Sequence, residues 1–194
     1  SNSNVSRRNF LKIAGVATGG LCISISLPGN ALAEKGIVEN SSIELNAFIH
    51  LDENGDTTIY CGRCEMGQGI STALPSAVAD EMEADWQRVS VKQGDADEKF
   101  GPQSTGGSKS IRVMYKPMRE AGAKARSMLI AAAAKVWKTS IDNCYAQSHF
   151  VINKLNQQKL GFGELASIAK NMPIPGNVML KKKSEFNYIG KKLA

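Results

Sequence analysis

One long stripe constrains the fold most. Ile111, Met114, Met118, Ala121, Ala125, Met128, Ala132 and Val136 recur at spacings of three and four. That period places them on one face of a long amphipathic helix. Such a face has to be buried against another layer. Pro117 falls early in the run, where it either kinks the helix or marks its true first turn. The partner layer is legible on either side. Ile43 to Leu51 alternates like a strand, Asn54-Gly55 signals a tight turn, and Thr57 to Cys61 returns as the paired strand. Thr72 reads as a helix N-cap with Pro75 in the first turn, followed by Leu74, Ala77, Val78 and Met82 at helical spacing. Arg88 to Gln93 is a short strand, and Gly94 to Ser110 is a polar loop of 17 residues without structure of its own, a length that favours function. His149 to Asn153 and the residues before Leu160 suggest a second hairpin, Gly161 to Asn171 a short helix, and the segment from Met172 an extended tail. Strands and helices mix without a regular strand–helix–strand repeat. The expected class is therefore α+β, an antiparallel or mixed sheet with helices packed on one face. A chain of 194 residues holds one such domain with a real core, placed at 43–171 and followed by the tail at 172–194.

The segment before the domain reads as an address. Ser6 to Lys12 contains the twin arginines Arg7 and Arg8, then comes a weakly apolar Gly/Ala-rich run, then Ala31-Leu32-Ala33. This order of basic, apolar and small-residue regions resembles a twin-arginine export signal over 1–33, with a polar linker at 34–42, and it implies a periplasmic protein. The run is too short and too weakly apolar for a committed transmembrane span, and an uncleaved anchor and an N-terminal core helix are the competing readings. Cleavage after Ala33 removes Arg7, Arg8 and Lys12 and no acid, so the formal charge falls from +6 to +3 (6 − 3). The remaining lysines form no basic stripe interleaved with aromatics, which argues against a nucleic-acid partner.

Three motifs compete within Cys61 to Thr72, CGRCEMGQGIST. Gly62 to Gly67 has the spacing of a phosphate loop, but Gln68-Gly69 stands where that loop needs Lys and Ser or Thr. Cys61 and Cys64 have redox or zinc spacing, yet only Cys144, His50 and His149 remain after the export segment to complete a site. Inert cysteines, a structural disulfide and a redox pair all stay open on this ground. The turn Gly67-Gln68-Gly69 lets backbone approach a ligand closely, offers an amide with donor and acceptor, and leads into a helix N-terminus that favours negative charge. A second loop, Gln103-Ser104-Thr105-Gly106-Gly107-Ser108, repeats that composition before the next helix. Two such loops suit a polar, anionic, hydrogen-bond-rich ligand, and plain turns are the competing reading.

Glu65 to Gly69 (EMGQG), Ser104 to Trp137 and Phe186 to Leu193 (FNYIGKKL) together resemble one family. It is the molybdopterin-binding subunit of the xanthine dehydrogenase/aldehyde oxidase family, in its isoquinoline 1-oxidoreductase beta-subunit type. The resemblance implies a portion of an exported molybdenum hydroxylase that hydroxylates an N-heterocycle or aldehyde with water as the oxygen source. It implies a molybdenum-bearing molybdopterin, often in cytosine dinucleotide form. The implied partners are the remainder of the molybdopterin subunit, a [2Fe–2S] subunit, a cytochrome c and a small-molecule substrate. Carried over by position, Gly67, Gln68 and Gly69 bind the pterin near the metal, and Ser104, Thr105, Gly106, Gly107 and Ser108 hold the pterin and its phosphates. Family subunits are several times longer, and no acid here, Glu65 included, matches their general base. No catalytic residue and no metal ligand is therefore expected, nor turnover by this chain alone. The alternatives are a non-catalytic exported binding or assembly module, and an unrelated redox protein using Cys61 and Cys64.

Overall fold

A computed structural model describes residues 21–24, 47–97, 100 and 103–192. The architecture is α+β, as the residue pattern predicts. β2 (Ala47–Leu51) and β3 (Thr57–Cys61) form the expected hairpin. Its turn is held by Asp52, whose carboxylate accepts the N–H groups of Asn54 and Asp56 at 2.9 Å each. β4 (Val89–Gln93) lies parallel to β3, and β1 (Leu21–Ser24) lies antiparallel to β2, so the strand order is β1-β2-β3-β4. β1 comes from the stretch read as an export signal. The rest of 1–33, the linker at 34–42 and the first residues of the Ile43 strand lie outside the described residues.

The parallel crossover from β3 to β4 is made by α1 (Ile70–Met82). This helix starts two residues before Thr72, so Thr72 is not its cap and Pro75 falls beyond the first turn. The long helix α2 runs Lys109–Trp137 without a break at Pro117, so Pro117 does not mark the first turn. The buried stripe is shorter than predicted. Met114, Met118, Ala121, Ala125, Met128 and Ala132 are buried, while Ile111 and Val136 at its ends are 43% and 44% exposed. The sequence pattern also passed over Gly122, where α1 and α2 meet. A Cβ there would sit 2.5 Å from the Val78 carbonyl oxygen and 2.9 Å from the Glu81 Cβ.

The long polar loop is not structureless throughout. Phe100 is buried, with its ring 5.4 Å from that of Phe48 and 6.2 Å from that of Tyr60. Gly94 makes room for it, since a Cβ there would come within 2.9 Å of the Phe100 ring. A second antiparallel sheet, β5 (Cys144–Gln147), β6 (Phe150–Asn153) and β7 (Lys159–Gly161), leads into α3 (Phe162–Ala169). His149 joins this unit to the rest. Its Nε2 lies 2.7 Å from the Gly55 carbonyl oxygen and its Nδ1 accepts the Asp85 N–H at 3.2 Å. That pairing fixes a neutral ring protonated at Nε2, and burial pushes its pKa down.

Among its described residues the tail has no strand or helix beyond a short turn at Lys183–Glu185, yet it is firmly held. Two fully buried carboxylates of α1 do this. Asp80 accepts backbone N–H groups from Asn187 (2.5 Å), Tyr188 and Ile189 (2.8 Å). Glu81 pairs with Arg119 and accepts the Lys181 N–H at 3.1 Å. Buried charge is tolerated here because it is paired and hydrogen-bonded.

Candidate functional site

The site grows from the point where β3 ends. Cys61 closes the strand in the core and its thiol faces the carbonyls of Arg63 (3.5 Å) and Ile70 (3.9 Å), so burial raises its pKa. Cys64 is exposed, and Cys61, Cys64 and Cys144 are all free thiols, so no disulfide joins them. No group of three or more His, Cys, Asp or Glu that could hold a metal occurs among the described residues.

The turn that follows has its own internal anion. Gly67 and Gly69 take φ of 91° and 79°, the left-handed region that glycine permits. The Glu65 carboxylate bends over them and accepts from Gly67 N–H (2.8 Å), Gly69 N–H (2.9 Å), Ser71 N–H (2.9 Å) and the Ser71 hydroxyl (2.8 Å). The Ser71 N–H, followed by that of Gly69, holds its pKa down at about 2. Negative charge thus stands at the start of α1, as predicted for a helix N-terminus, but the chain supplies it. This cap explains why α1 begins before Thr72.

Gln68 also turns inward. Its Oε1 accepts the Met66 N–H at 2.6 Å and its Nε2 donates to the Cys64 carbonyl at 2.9 Å. Each end of the amide retains one further bonding position for a ligand. A Cβ added at Gly67 or Gly69 would meet nothing within 4 Å, so this side of the turn is open.

The two loops singled out separately in the sequence are joined. Arg63 is 4% exposed and donates through Nη1 to the Ser104 carbonyl. The Thr105 hydroxyl reaches the Cys64 carbonyl at 3.5 Å. Gln103 fastens the base of the second loop, accepting the Asp97 N–H at 3.1 Å and donating to the Asp95 carbonyl at 2.7 Å. Beyond it, the N–H groups of Ser104, Thr105, Gly106, Gly107 and Ser108 have no acceptor among the described residues. Gly106 is open in the same sense as Gly67. α2 follows with no side-chain cap and no acid in its first turn, which carries Lys109 and Arg112. Arg63 and Glu65 were not among the residues picked from sequence. Glu65 stands six residues before Ser71, outside the usual capping-box spacing, and nothing in its pattern distinguishes Arg63 from a surface arginine.

The fold, with paired glycine loops ahead of two helices, has counterparts among solved structures. It matches the CO dehydrogenase of Oligotropha carboxidovorans with a TM-score of 0.53 at 20% identity, over 61% of this chain and 15% of that one. Residues 8–192 match the molybdopterin cofactor-binding domain family model, and the chain belongs to that family. It is 32% identical over 171 residues to the isoquinoline 1-oxidoreductase subunit beta of Brevundimonas diminuta, covering 84% of this chain and 22% of the relative. It is 31% identical over 175 residues to a membrane-bound aldehyde dehydrogenase [pyrroloquinoline-quinone] of Gluconacetobacter polyoxogenes, covering 88% and 22%. The chain therefore spans about a fifth of the length of these curated relatives. The family's cofactor is a molybdopterin carrying molybdenum. The residues present fit part of such a group: open glycines, unmatched amide donors and a buried guanidinium lie on two joined loops.

Proposed function

We propose that this chain is the pterin-binding portion of an exported molybdenum hydroxylase acting on an N-heterocycle or an aldehyde. The observation that carries the reading is the union of the two loops through Arg63–Ser104 and Thr105–Cys64, beside five amides that have no acceptor among the described residues. Gly67, Gln68 and Gly69 offer one edge for the pterin. Ser104 to Ser108 offer the other, with hydroxyls and amides for its polar rim. When bound, the molybdenum–pterin group supplies the redox and oxygen-transfer chemistry, and the chain's part is to bind and orient it. Glu65 does not serve as a base near neutral pH, because its four donors hold it ionised with a pKa of about 2. The base therefore comes from the remainder of the molybdopterin subunit, and electrons leave through a [2Fe–2S] subunit to an acceptor such as a cytochrome c.

The test is to co-express the chain with the polypeptide encoded after it and measure molybdenum and the fluorescent oxidised pterin in the purified assembly. Both are expected in near-equal amounts. An assembly with neither, under conditions that load a known relative, overturns the reading. A quinone without molybdenum replaces it with the cofactor named for the Gluconacetobacter relative.

A further inference from the structure

The outer edge of β2 is closed by four residues of the segment read as an export leader. Leu21, Cys22, Ile23 and Ser24 stand opposite Leu51, His50, Ile49 and Ala47 in antiparallel register, with a slip between Ile23 and Ser24. β1 also lies beside both α2 and α3, whose Cα atoms come within 8 Å of its own. On its other side β2 pairs with β3, so among the described residues β2 is an interior strand only while β1 is present. Its composition suits an interior place. Phe48, Ile49 and Leu51 are fully buried, and Ala47 to Leu51 holds no proline, lysine, arginine or acid. Strands that stand at an edge are commonly guarded by such residues against pairing with other chains. β4, at the opposite edge, shows the contrast, with four of its five residues exposed and Lys92 among them. The leader itself is patterned as a strand. Leu21, Ile23, Ile25 and Leu27 alternate with Cys22, Ser24, Ser26 and Pro28, directly after the break at Gly19-Gly20. The family match begins at residue 8 and so takes in the whole of β1.

We propose that Leu21–Ser24 is a permanent strand of the domain, so the leader is kept after export instead of being cut at Ala31-Leu32-Ala33. The proposal does not depend on cofactor binding, and the export reading supplies only the compartment. The kept leader is not a membrane anchor. Between Arg8 and β1 stand 12 residues, Asn9 to Gly20, with Lys12 among them. A bilayer span needs about 20 apolar residues. The work of the segment is on the sheet, where it gives the N–H and C=O groups along the outer side of β2 a partner from the same chain.

The first measurement purifies the periplasmic protein with its accompanying subunits and reads its N-terminal peptides by mass spectrometry. Peptides spanning Leu21–Ser24 are expected in near-equal yield with those of β2. A polypeptide that starts at Glu34 overturns the proposal. The second measurement tests the pairing itself. Residues directly opposite in an antiparallel pair have Cα atoms about 4.5–5.5 Å apart, within reach of a disulfide. Cys22 stands opposite His50, so His50→Cys is expected to link to Cys22 under mild oxidation, as peptide mapping checks. The link should be lost when oxidation is carried out in urea, and lost with Cys22→Ser. Cys61, Cys64 and Cys144 are free thiols and act as internal competitors. Linking to these without preference, or none to Cys22, overturns the proposal. If His50→Cys does not fold, hydrogen exchange of the wild type decides. The amides of Ala47–Leu51 are expected to exchange as slowly as those of β3, and alternating protection typical of an edge overturns the proposal. Protein confined to the cytosol refutes the export reading alone, and the Cys22 link and the exchange pattern still uphold or overturn the strand.

Discussion

At the scale of single residues, Glu65 does more than its neighbours in the glycine turn. It stitches Gly67, Gly69 and Ser71 together and supplies the charge that α1 favours at its start. Its pKa is depressed from 4.5 to about 2, so the folded state binds the proton more weakly than the unfolded one. Its stabilising contribution is therefore fully present above the unfolded value and is lost as pH falls from about 4.5 towards 2. Glu65→Gln is expected to melt at a lower temperature than wild type at neutral pH. The gap should narrow as pH drops through that window, as followed by circular dichroism. A gap that stays constant to pH 2 would exclude the capping role. Gly67-Gln68-Gly69 was legible in the sequence because glycines flanking a polar residue are rare outside tight turns. The use of Gln68 was not, because nothing local says whether an amide faces a ligand or folds back on Cys64 and Met66.

At the scale of elements, the α1–α2 crossing holds the domain together. Gly122 brings the helices so close that a Cβ would overlap the Val78 carbonyl oxygen at 2.5 Å. Gly122→Val is expected to destabilise the fold by about 1–3 kcal/mol through overpacking, measured by urea denaturation. A change below about 0.5 kcal/mol would show that the crossing relaxes freely. Element types were readable from periodicity, since the three–four stripe and the Asn54-Gly55 turn are strong local signals. Boundaries were not. α1 starts early because a carboxylate upstream caps it, and α2 runs through Pro117 because its buried stripe outweighs one lost backbone bond. Phe100 shows the same limit, as one aromatic in a polar loop gives no hint that Gly94 and Gly62 have left space for it.

At the scale of the whole molecule, the family was legible because two separated motifs, EMGQG and Ser104 to Trp137, occur together. Their physical union was not, since Arg63 and Ser104 stand 41 positions apart. The export reading makes its own prediction. Changing Arg7 and Arg8 to Lys is expected to leave the chain in the cytosol, whereas the wild type is recovered from the periplasm, as cell fractionation checks. The mass of the exported chain then matters for the sheet. Trimming after Ala33 removes Leu21–Ser24 and leaves β2 as the edge strand, while a chain that retains it keeps β1 in place. Wild-type material confined to the cytosol would remove the basis for a periplasmic enzyme.

The clasp from Arg63 to Ser104 has a consequence for affinity. On one side the Ser104 to Ser108 run is tethered by a buried guanidinium, and on the other it passes into a helix of 29 residues. Much of its conformational entropy is thus surrendered when the chain folds rather than when a ligand arrives. Each residue ordered in advance spares binding about 1–2 kcal/mol of ordering cost. Cutting the clasp would make the loop's immobilisation a cost of ligand capture, raising the dissociation constant even for a ligand that never touches Arg63.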